Sequence, residues 1–361
     1  MRMNVRDKIM KAKGFQIFIT SLIGIIFGFV VASIIIALIG VSPLKAYREL
    51  FMGAFGSVQN FSFTLMRFIP LALTGLAVTF AFRGGMFNIG AEGQLYVSAL
   101  AATWIAVSIT GLPSVLHITL AVLSGAAAAA IFAFIPGYLK ATRNFNEILV
   151  TILLNYIGIN LVGLALNTFL MAPNQRIPWS ARIAESAMIP KVMAGSPLHI
   201  GVFLVFILAI IVYYIFWHTT WGYEIRTVGA NPDAASYGGI NVKGVMILTM
   251  VLSGVLASFA GSLEILGAQH RLQAGFLVNY GYYGIPVALL GGLNPFGTLL
   301  AAFFFGALFN GAVAMQAATG IPVSIVGMVQ ALAIFGVIGI TGVRQVYVSS
   351  KAFRRREISH D

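Results

Sequence analysis

The segment Phe82–Gln94 holds the densest group of polar residues next to apolar sequence. It reads FRGGMFNIGAEGQ and contains four glycines with an arginine, an asparagine, a glutamate and a glutamine. In a membrane, backbone groups freed by a glycine-rich break must be satisfied by protein or by a watered cavity. We therefore predict a polar substrate path here, and a tight cytoplasmic turn with Glu92 at a helix N-terminus is the alternative. The candidates for the path are Phe87, Asn88, Glu92, Gln94 and Tyr96.

A second polar stripe lies in NFNEILVTILLNY, residues 144–156. Glu147, Thr151 and Asn155 are four residues apart, which places them on one face of a helix. Such groups either line a polar path or hydrogen-bond between neighbouring helices, and both interpretations stay open. Asn155 is therefore added to the candidates for the path.

The segment WGYEIRTVGANPDAASYGGINVK, residues 221–243, connects two apolar stretches. Asn231 has the side chain of a helix N-cap, and Pro232 suits the first helical position. The pair Gly238-Gly239 is typical of a helix end. The pattern predicts a short surface helix, which is either a grip for a partner or an ordinary amphipathic connector.

The elements around these motifs are those of a membrane protein. The 361 residues are 59% hydrophobic and 9% charged, whereas soluble domains carry about 25% charged residues. This excludes a soluble enzyme, a disordered chain and a nucleic-acid-binding chain. The absence of cysteine excludes disulfides, thiolate metal sites and a Cys nucleophile. The chain also contains no GxxxxGK[ST] sequence for binding nucleotide phosphates.

Apolar runs of roughly 20 residues predict an all-α bundle of about ten membrane-spanning helices in a single domain, residues 1–361. The predicted spans are residues 15–40, 61–82, 92–110, 114–139, 147–171, 198–217, 244–265, 281–293, 295–318 and 321–341. The first run is longer than a signal-peptide core, so we expect a retained helix.

The basic residues predict the orientation. With ten spans, 15 of the 22 lysines and arginines lie in the segments on the side of both termini. Positive charge favours the cytoplasmic side, so both termini are expected there, in a multi-pass protein of the plasma membrane. The glycine pairs at 84–85 and 291–292 further suggest two inverted repeats with a site near the midplane.

Four blocks of sequence together resemble a known family. In order they are FNIGAEGQ at 87–94, EILVTILLNY at 147–156, RTVGANPDAASYGGI at 226–240 and VALLGGLNPFGTLLAA at 287–302. They are similar to permease subunits of ABC importers for simple sugars and nucleosides, and FNIGAEGQ resembles the nucleoside branch. The resemblance spans nearly the whole chain. It implies a vitamin-importer-like (type II) helical arrangement and a translocation subunit of a bacterial importer that is not itself an enzyme.

The resemblance also implies partners. Residues 226–240 are similar to the family's cytoplasmic coupling loop, which docks on an ABC ATPase subunit. ATP and magnesium would be bound by that partner, and no cofactor by this chain. A second permease, often a different homologous chain, and an extracytoplasmic solute-binding lipoprotein complete the assembly in the membrane lipid. The residues expected to couple to the ATPase are Arg226, Gly229, Asn231, Pro232, Asp233, Ala234 and Ala235.

Two other functions stay open at this stage. A permease for a simple sugar such as ribose or galactose would share the same blocks. An ion-coupled secondary transporter usually buries acidic residues deep in the bundle. Glu92, Glu147 and Glu264 all lie near the ends of predicted spans, which argues against that alternative.

Overall fold

The computed structural model describes residues 5–173, 176–193, 195–328, 330–332 and 335. Within these ranges the chain is helical, with a few isolated bridges between extended residues. The helices are α1 (Val5–Leu38), α2 (Pro43–Phe55), α3 (Val58–Arg83), α4 (Ala91–Ser108), α5 (Ser114–Arg143), α6 (Glu147–Leu166), α7 (Gly201–His218), α8 (Thr220–Ala230), α9 (Pro232–Tyr237), α10 (Val242–Leu263), α11 (Tyr280–Leu290) and α12 (Pro295–Thr319). A π-helical turn, Glu264–Gln269, extends α10.

The prediction of an all-helical, multi-pass membrane protein is confirmed. Among the described residues, six helices are long and apolar enough to cross a membrane. They are α3, α5, α6, α7, α10 with its π-helical turn, and α12. Their ends lie within a few residues of the predicted ones, because long apolar runs are the strongest signal in the sequence.

The other four predicted spans differ from that set. In α1, the apolar stretch within the residues whose side chains the structure describes is Leu22–Leu38. Helix α4 has 18 residues but begins with the buried polar residues Glu92 and Gln94. Helix α11 has 11 residues, a length of about 16 Å at 1.5 Å per residue. The predicted span 321–341 lies only partly within the described residues, which here are 321–328, 330–332 and 335.

The chain divides into two compact units, and the candidate site lies in the second. The first contains residues 1–54 and 308–361, and the second contains residues 55–307. In the first unit, α2 packs closely on the later part of α12. There the Asn310 side chain donates to the Gly53 carbonyl oxygen at 3.0 Å.

In the second unit, helices from the first half of the sequence pack against helices from the second half. Helix α3 packs against α11, and α10 packs against α4 and α5. Helix α3 also meets the start of α12, where the Thr79 and Thr298 hydroxyls lie 2.8 Å apart. The set α3–α6 thus interlocks with the set that begins at α10, as two related repeats would. The two glycine pairs are not equivalent, because 84–85 follows the first helix of its set and 291–292 follows the second.

Candidate functional site

Residues 84–90 form a non-helical break between α3 and α4, held by buried amides. The Asn88 Nδ2 atom donates to Gln94 Oε1 at 2.9 Å and to Ser253 Oγ at 2.8 Å. The Asn88 Oδ1 atom accepts the Gly90 N–H at 2.9 Å. Because Ser253 lies on α10 and itself donates to the Ala77 carbonyl at 2.6 Å, the network ties the break to two helices.

Glu92 joins the beginnings of α4 and α11. Its side chain is 1% exposed. One carboxylate oxygen accepts the Asn279 N–H at 2.7 Å, and the other accepts the Gly281 N–H at 2.6 Å. A negative charge is favourable at a helix N-terminus, where backbone N–H groups lack helical partners. A Cβ atom on Gly281 would collide with the backbone of Glu92, so the close approach requires glycine.

Asn155 of α6 closes the same region from another side. Its Oδ1 atom accepts the Gly93 N–H at 2.7 Å, and its Nδ2 atom donates to the Ile89 carbonyl and the Tyr282 hydroxyl, both at 3.0 Å. The shared face predicted for this helix is present, since Glu147, Thr151 and Asn155 are all buried. Glu147 forms an ion pair with Lys140 at 3.1 Å.

The structure therefore brings most of the predicted path residues together. Four polar residues and one tyrosine are each at most 2% exposed: Asn88, Glu92, Gln94, Tyr96 and Asn155. The Tyr96 ring packs 4.9 Å from Phe276. Phe87 stands apart, since it is 47% exposed and packs on Phe82. In this conformation the polar members bind one another and the backbone, which makes them the frame of a helix break.

A second polar group, which the sequence analysis did not assemble, lies at the end of α10. We call it the Arg67 cluster: Arg67, Glu264, Gln269, Gln273 and Tyr280. All five residues are half-buried. Arg67 lying within a predicted span was the one signal that pointed to this group, because a charge in a span is costly. Four of its members lie within residues 264–280 and Arg67 lies about 200 residues before them, so spacing along the sequence did not bring all five together.

Hydrogen bonds join the residues of this cluster in two sets. Gln273 Nε2 donates to Gln269 Oε1 at 3.1 Å, and Gln269 Nε2 donates to Glu264 Oε1 at 3.0 Å. The Arg67 Nη1 atom donates to the Tyr280 hydroxyl at 3.0 Å. The cluster thus combines a cation, an anion, two amides and a phenol around the π-helical turn.

The coupling loop, residues 226–240, comprises the end of α8, then α9 and a turn. The predicted helix start is confirmed: Asn231 caps α9 by accepting the Ala234 N–H at 3.0 Å, and Pro232 is the first helical residue. Gly239, with φ +80°, follows its end, as predicted. Four predicted coupling residues are exposed: Asn231, Pro232, Asp233 and Ala234.

Other predicted coupling residues contact this chain itself. Ala235 is 0% exposed. A Cβ atom on Gly229 would collide with the Arg83 carbonyl oxygen and lie 2.8 Å from the Gly85 nitrogen. Both small residues therefore pack closely on their own chain, and their part in coupling to an ATPase stays a prediction. The Arg226 Nε atom donates to the Gly222 carbonyl at 3.1 Å, within α8.

The most exposed aromatic residue of this loop was missed. Tyr237, the last residue of α9, is 95% exposed. Sequence reasoning concentrated on the small residues, although an aromatic residue beside a glycine pair on a polar connector was a usable signal. Large exposed aromatic side chains are typical anchors of protein interfaces.

Comparison with known proteins identifies the family of this chain. Residues 60–338 match the family described as branched-chain amino acid transport system / permease component. The chain belongs to this permease family. It is the membrane-spanning permease of an ABC importer and is not the subunit that hydrolyses ATP. Membership of this family excludes the alternative of an ion-coupled secondary transporter.

The relatives include permeases that cover from 67% to 90% of this chain. A guanosine ABC transporter permease of Bacillus subtilis is 36% identical and covers 90% of this chain and 94% of its own. A glucose ABC transporter permease of Haloferax volcanii is 33% identical, over 87% and 85%. A second guanosine ABC transporter permease of Bacillus subtilis is 26% identical, over 67% and 78%.

One solved structure also matches. It is an inward-facing ABC transporter assigned to the metal-chelate type, with a TM-score of 0.42 and 16% identity. The match covers 88% of this chain and 98% of the other.

Proposed function

We propose that this permease imports nucleosides. The observation that carries the proposal is the 36% identity, over nine tenths of this chain, to a guanosine permease. Uptake of a simple sugar is the second candidate, favoured by the 33% identity to a glucose permease. A nucleoside needs hydrogen bonds to its ribose and base, and the chain buries or partly buries amide, carboxylate and phenol groups in two clusters that can supply or support them.

The assembly we propose contains a separate ABC ATPase, which binds ATP and magnesium, and an extracytoplasmic solute-binding lipoprotein. A second permease completes it, and we propose a different homologous chain. Support comes from Bacillus subtilis, where two distinct guanosine permeases both resemble this chain. The location we propose is the bacterial plasma membrane, with both termini cytoplasmic.

The coupling loop offers a mechanical route from the ATPase to the helix break. Gly229 of α8 lies against Gly85, which has φ +72° and belongs to the break. The break continues to Asn88 and then to Glu92, which holds α11. Closure of the ATPase around ATP would move α8 and α9, and through this contact the frame formed by α4 and α11. ATP can drive this switch only by favouring one of two states of the assembly.

The deciding experiment is transport by the reconstituted assembly. The chain is placed in liposomes with its ATPase, second permease and binding protein, and uptake of labelled nucleosides, glucose, ribose and galactose is measured. We expect ATP-dependent uptake of at least one nucleoside, inhibited by other nucleosides in excess. Uptake confined to sugars would replace the nucleoside proposal with the second candidate.

A further inference from the structure

We propose that the Arg67 cluster is a ligand subsite that receives a neutral, hydroxyl-bearing solute. This inference rests on the proposed function and adds the position of contact, which the resemblance did not supply. The cluster is distinct from the buried frame around Glu92, because its residues are half-buried whereas those of the frame are at most 2% exposed.

The position of the cluster argues against a purely structural role. Arg67 is the tenth residue of α3, and Glu264 follows the last residue of α10. Both therefore lie within apolar helices that cross the membrane. Charged residues within such helices, even towards the helix end as Glu264 is, are costly in lipid and are found where they face a partner or a watered cavity. By the predicted topology, this end of α10 faces outward, where solute enters.

The backbone gives a second, independent observation. Glu264–Gln269 is a π-helical turn, and such turns are rare and concentrate at functional sites. Here the turn brings Glu264 and Gln269 within hydrogen-bond distance across five residues. It is followed by His270 with φ +56°, an uncommon conformation for a residue other than glycine. The backbone departs from regular geometry at the place where the polar side chains gather.

The chemistry of the cluster selects the class of ligand. Arg67 and Glu264 carry opposite charges, so together they present no net charge to a solute. Amides and a phenol supply both donors and acceptors. A vicinal diol of a sugar ring, as in a ribonucleoside or a monosaccharide, can accept from the guanidinium or an amide and donate to the carboxylate. A phosphorylated solute would place its negative charges near Glu264 and should be disfavoured.

The cluster also connects to the frame. Tyr280, the partner of Arg67, is the first residue of α11. The residues on either side of it, Asn279 and Gly281, donate their backbone N–H groups to Glu92. A solute that displaces the Arg67–Tyr280 hydrogen bond therefore acts on the helix start that Glu92 holds.

The test uses the reconstituted assembly with three variants: Gln269→Leu, Gln273→Leu and Glu264→Gln. The matched control is Asn160→Leu, which removes an amide from the exposed face of α6. Uptake of labelled guanosine and labelled glucose is measured over a range of solute concentrations. Guanosine monophosphate and 2′,3′-dideoxyguanosine serve as competitors. ATPase recovery and the melting temperature are recorded for each variant.

We expect each cluster variant to lower the rate of uptake at low solute concentration about tenfold. This is the effect of one lost hydrogen bond to a polar ligand. Binding of the ATPase and melting temperature should stay as in the wild type, and Asn160→Leu should transport normally. Both competitors should be weaker than guanosine in the wild type.

Two other results have distinct meanings. Wild-type uptake by all three cluster variants, with guanosine transported, would overturn the subsite and leave the proposed function intact. Uptake of glucose but not guanosine by the wild type would overturn the nucleoside proposal, and the same variants would then decide the subsite with glucose. A loss of uptake that follows a loss of melting temperature in every variant would also overturn the subsite, because it indicates a structural role.

Discussion

At the scale of the residue, the decisive group is the buried carboxylate of Glu92. Its two oxygens accept two backbone N–H groups at 2.7 and 2.6 Å. A buried hydrogen bond adds little net stability when it forms. Removing its acceptor costs more, because the N–H donor then stays buried without a partner. Glu92 therefore acts in the frame that holds a path, even though the sequence suggested the path itself.

The first prediction concerns Glu92→Gln. The amide retains one acceptor oxygen but places an N–H₂ group against a backbone N–H. We expect the free energy of unfolding to fall by about 1–3 kcal/mol, and uptake to fall with it. Thermal melting of the purified chain in detergent measures the first, and transport in liposomes the second. Glu185→Gln is the control, since Glu185 is exposed, and an equal change in both variants would contradict the assignment.

At the scale of the element, two helices meet start to start. Helices α4 and α11 approach so closely that Gly281 lies against the Glu92 backbone. Their N-terminal dipoles repel, and the Glu92 carboxylate between them offsets the repulsion. This junction therefore needs the glycine at Gly281 and the negative charge of Glu92.

The second prediction tests the need for glycine. Gly281→Ala should destabilise the chain by about 1–3 kcal/mol, because the methyl group has to displace the α4 backbone. Gly163→Ala is the matched control, since a Cβ atom there meets nothing within 4 Å and alanine favours the helix. Melting temperatures of the two variants in detergent give the comparison. Equal stability would show that α4 and α11 are not in close contact.

The third prediction separates docking from packing in the coupling loop. Tyr237→Ala should weaken ATPase binding about tenfold or more, as loss of an exposed aromatic anchor does, without changing the melting temperature. Gly229→Ala should lower the melting temperature, because its methyl group meets the Arg83 carbonyl. Tyr156→Ala, which removes another exposed tyrosine, is the control for binding. The readout is ATPase recovered with the tagged permease, and full recovery with Tyr237→Ala would remove this residue from the interface.

At the scale of the whole molecule, charge decides the orientation. Fifteen of the 22 basic residues belong to the side predicted to be cytoplasmic. Moving them across the membrane would be costly, since basic segments near spans are retained inside. The coupling loop lies on the same predicted side, where an ATPase can reach it.

The fourth prediction tests this topology. The chain has no cysteine, so single cysteines can be labelled without background. Asn4→Cys and His360→Cys should resist an impermeant thiol reagent added outside intact cells, whereas Glu185→Cys should react. Labelling after permeabilisation confirms that the first two are accessible. Reaction of one terminus alone in intact cells would require an odd number of spans.

Local patterns along the chain were sufficient for the long apolar helices and for α9. The span 114–139 was predicted from its apolar run, and α9 from Asn231 and Pro232, because hydropathy and capping depend on neighbours within a few residues. The shared face of Glu147, Thr151 and Asn155 followed from helical spacing. Amphipathic connectors were harder: α2 and α8 lie in segments predicted as loops.

Tertiary structure alone decided what those residues contact. Gly229 and Ala235 have the small side chains of a docking surface, yet they pack against their own chain. Arg67 donates to Tyr280, 213 positions away, and Glu92 accepts from Gly281, 189 positions away. Such partners are set by how helices cross, and no periodicity within one helix encodes the crossing. For this reason the polar residues were found from the sequence, whereas their division into a buried frame and a partly exposed cluster required the fold.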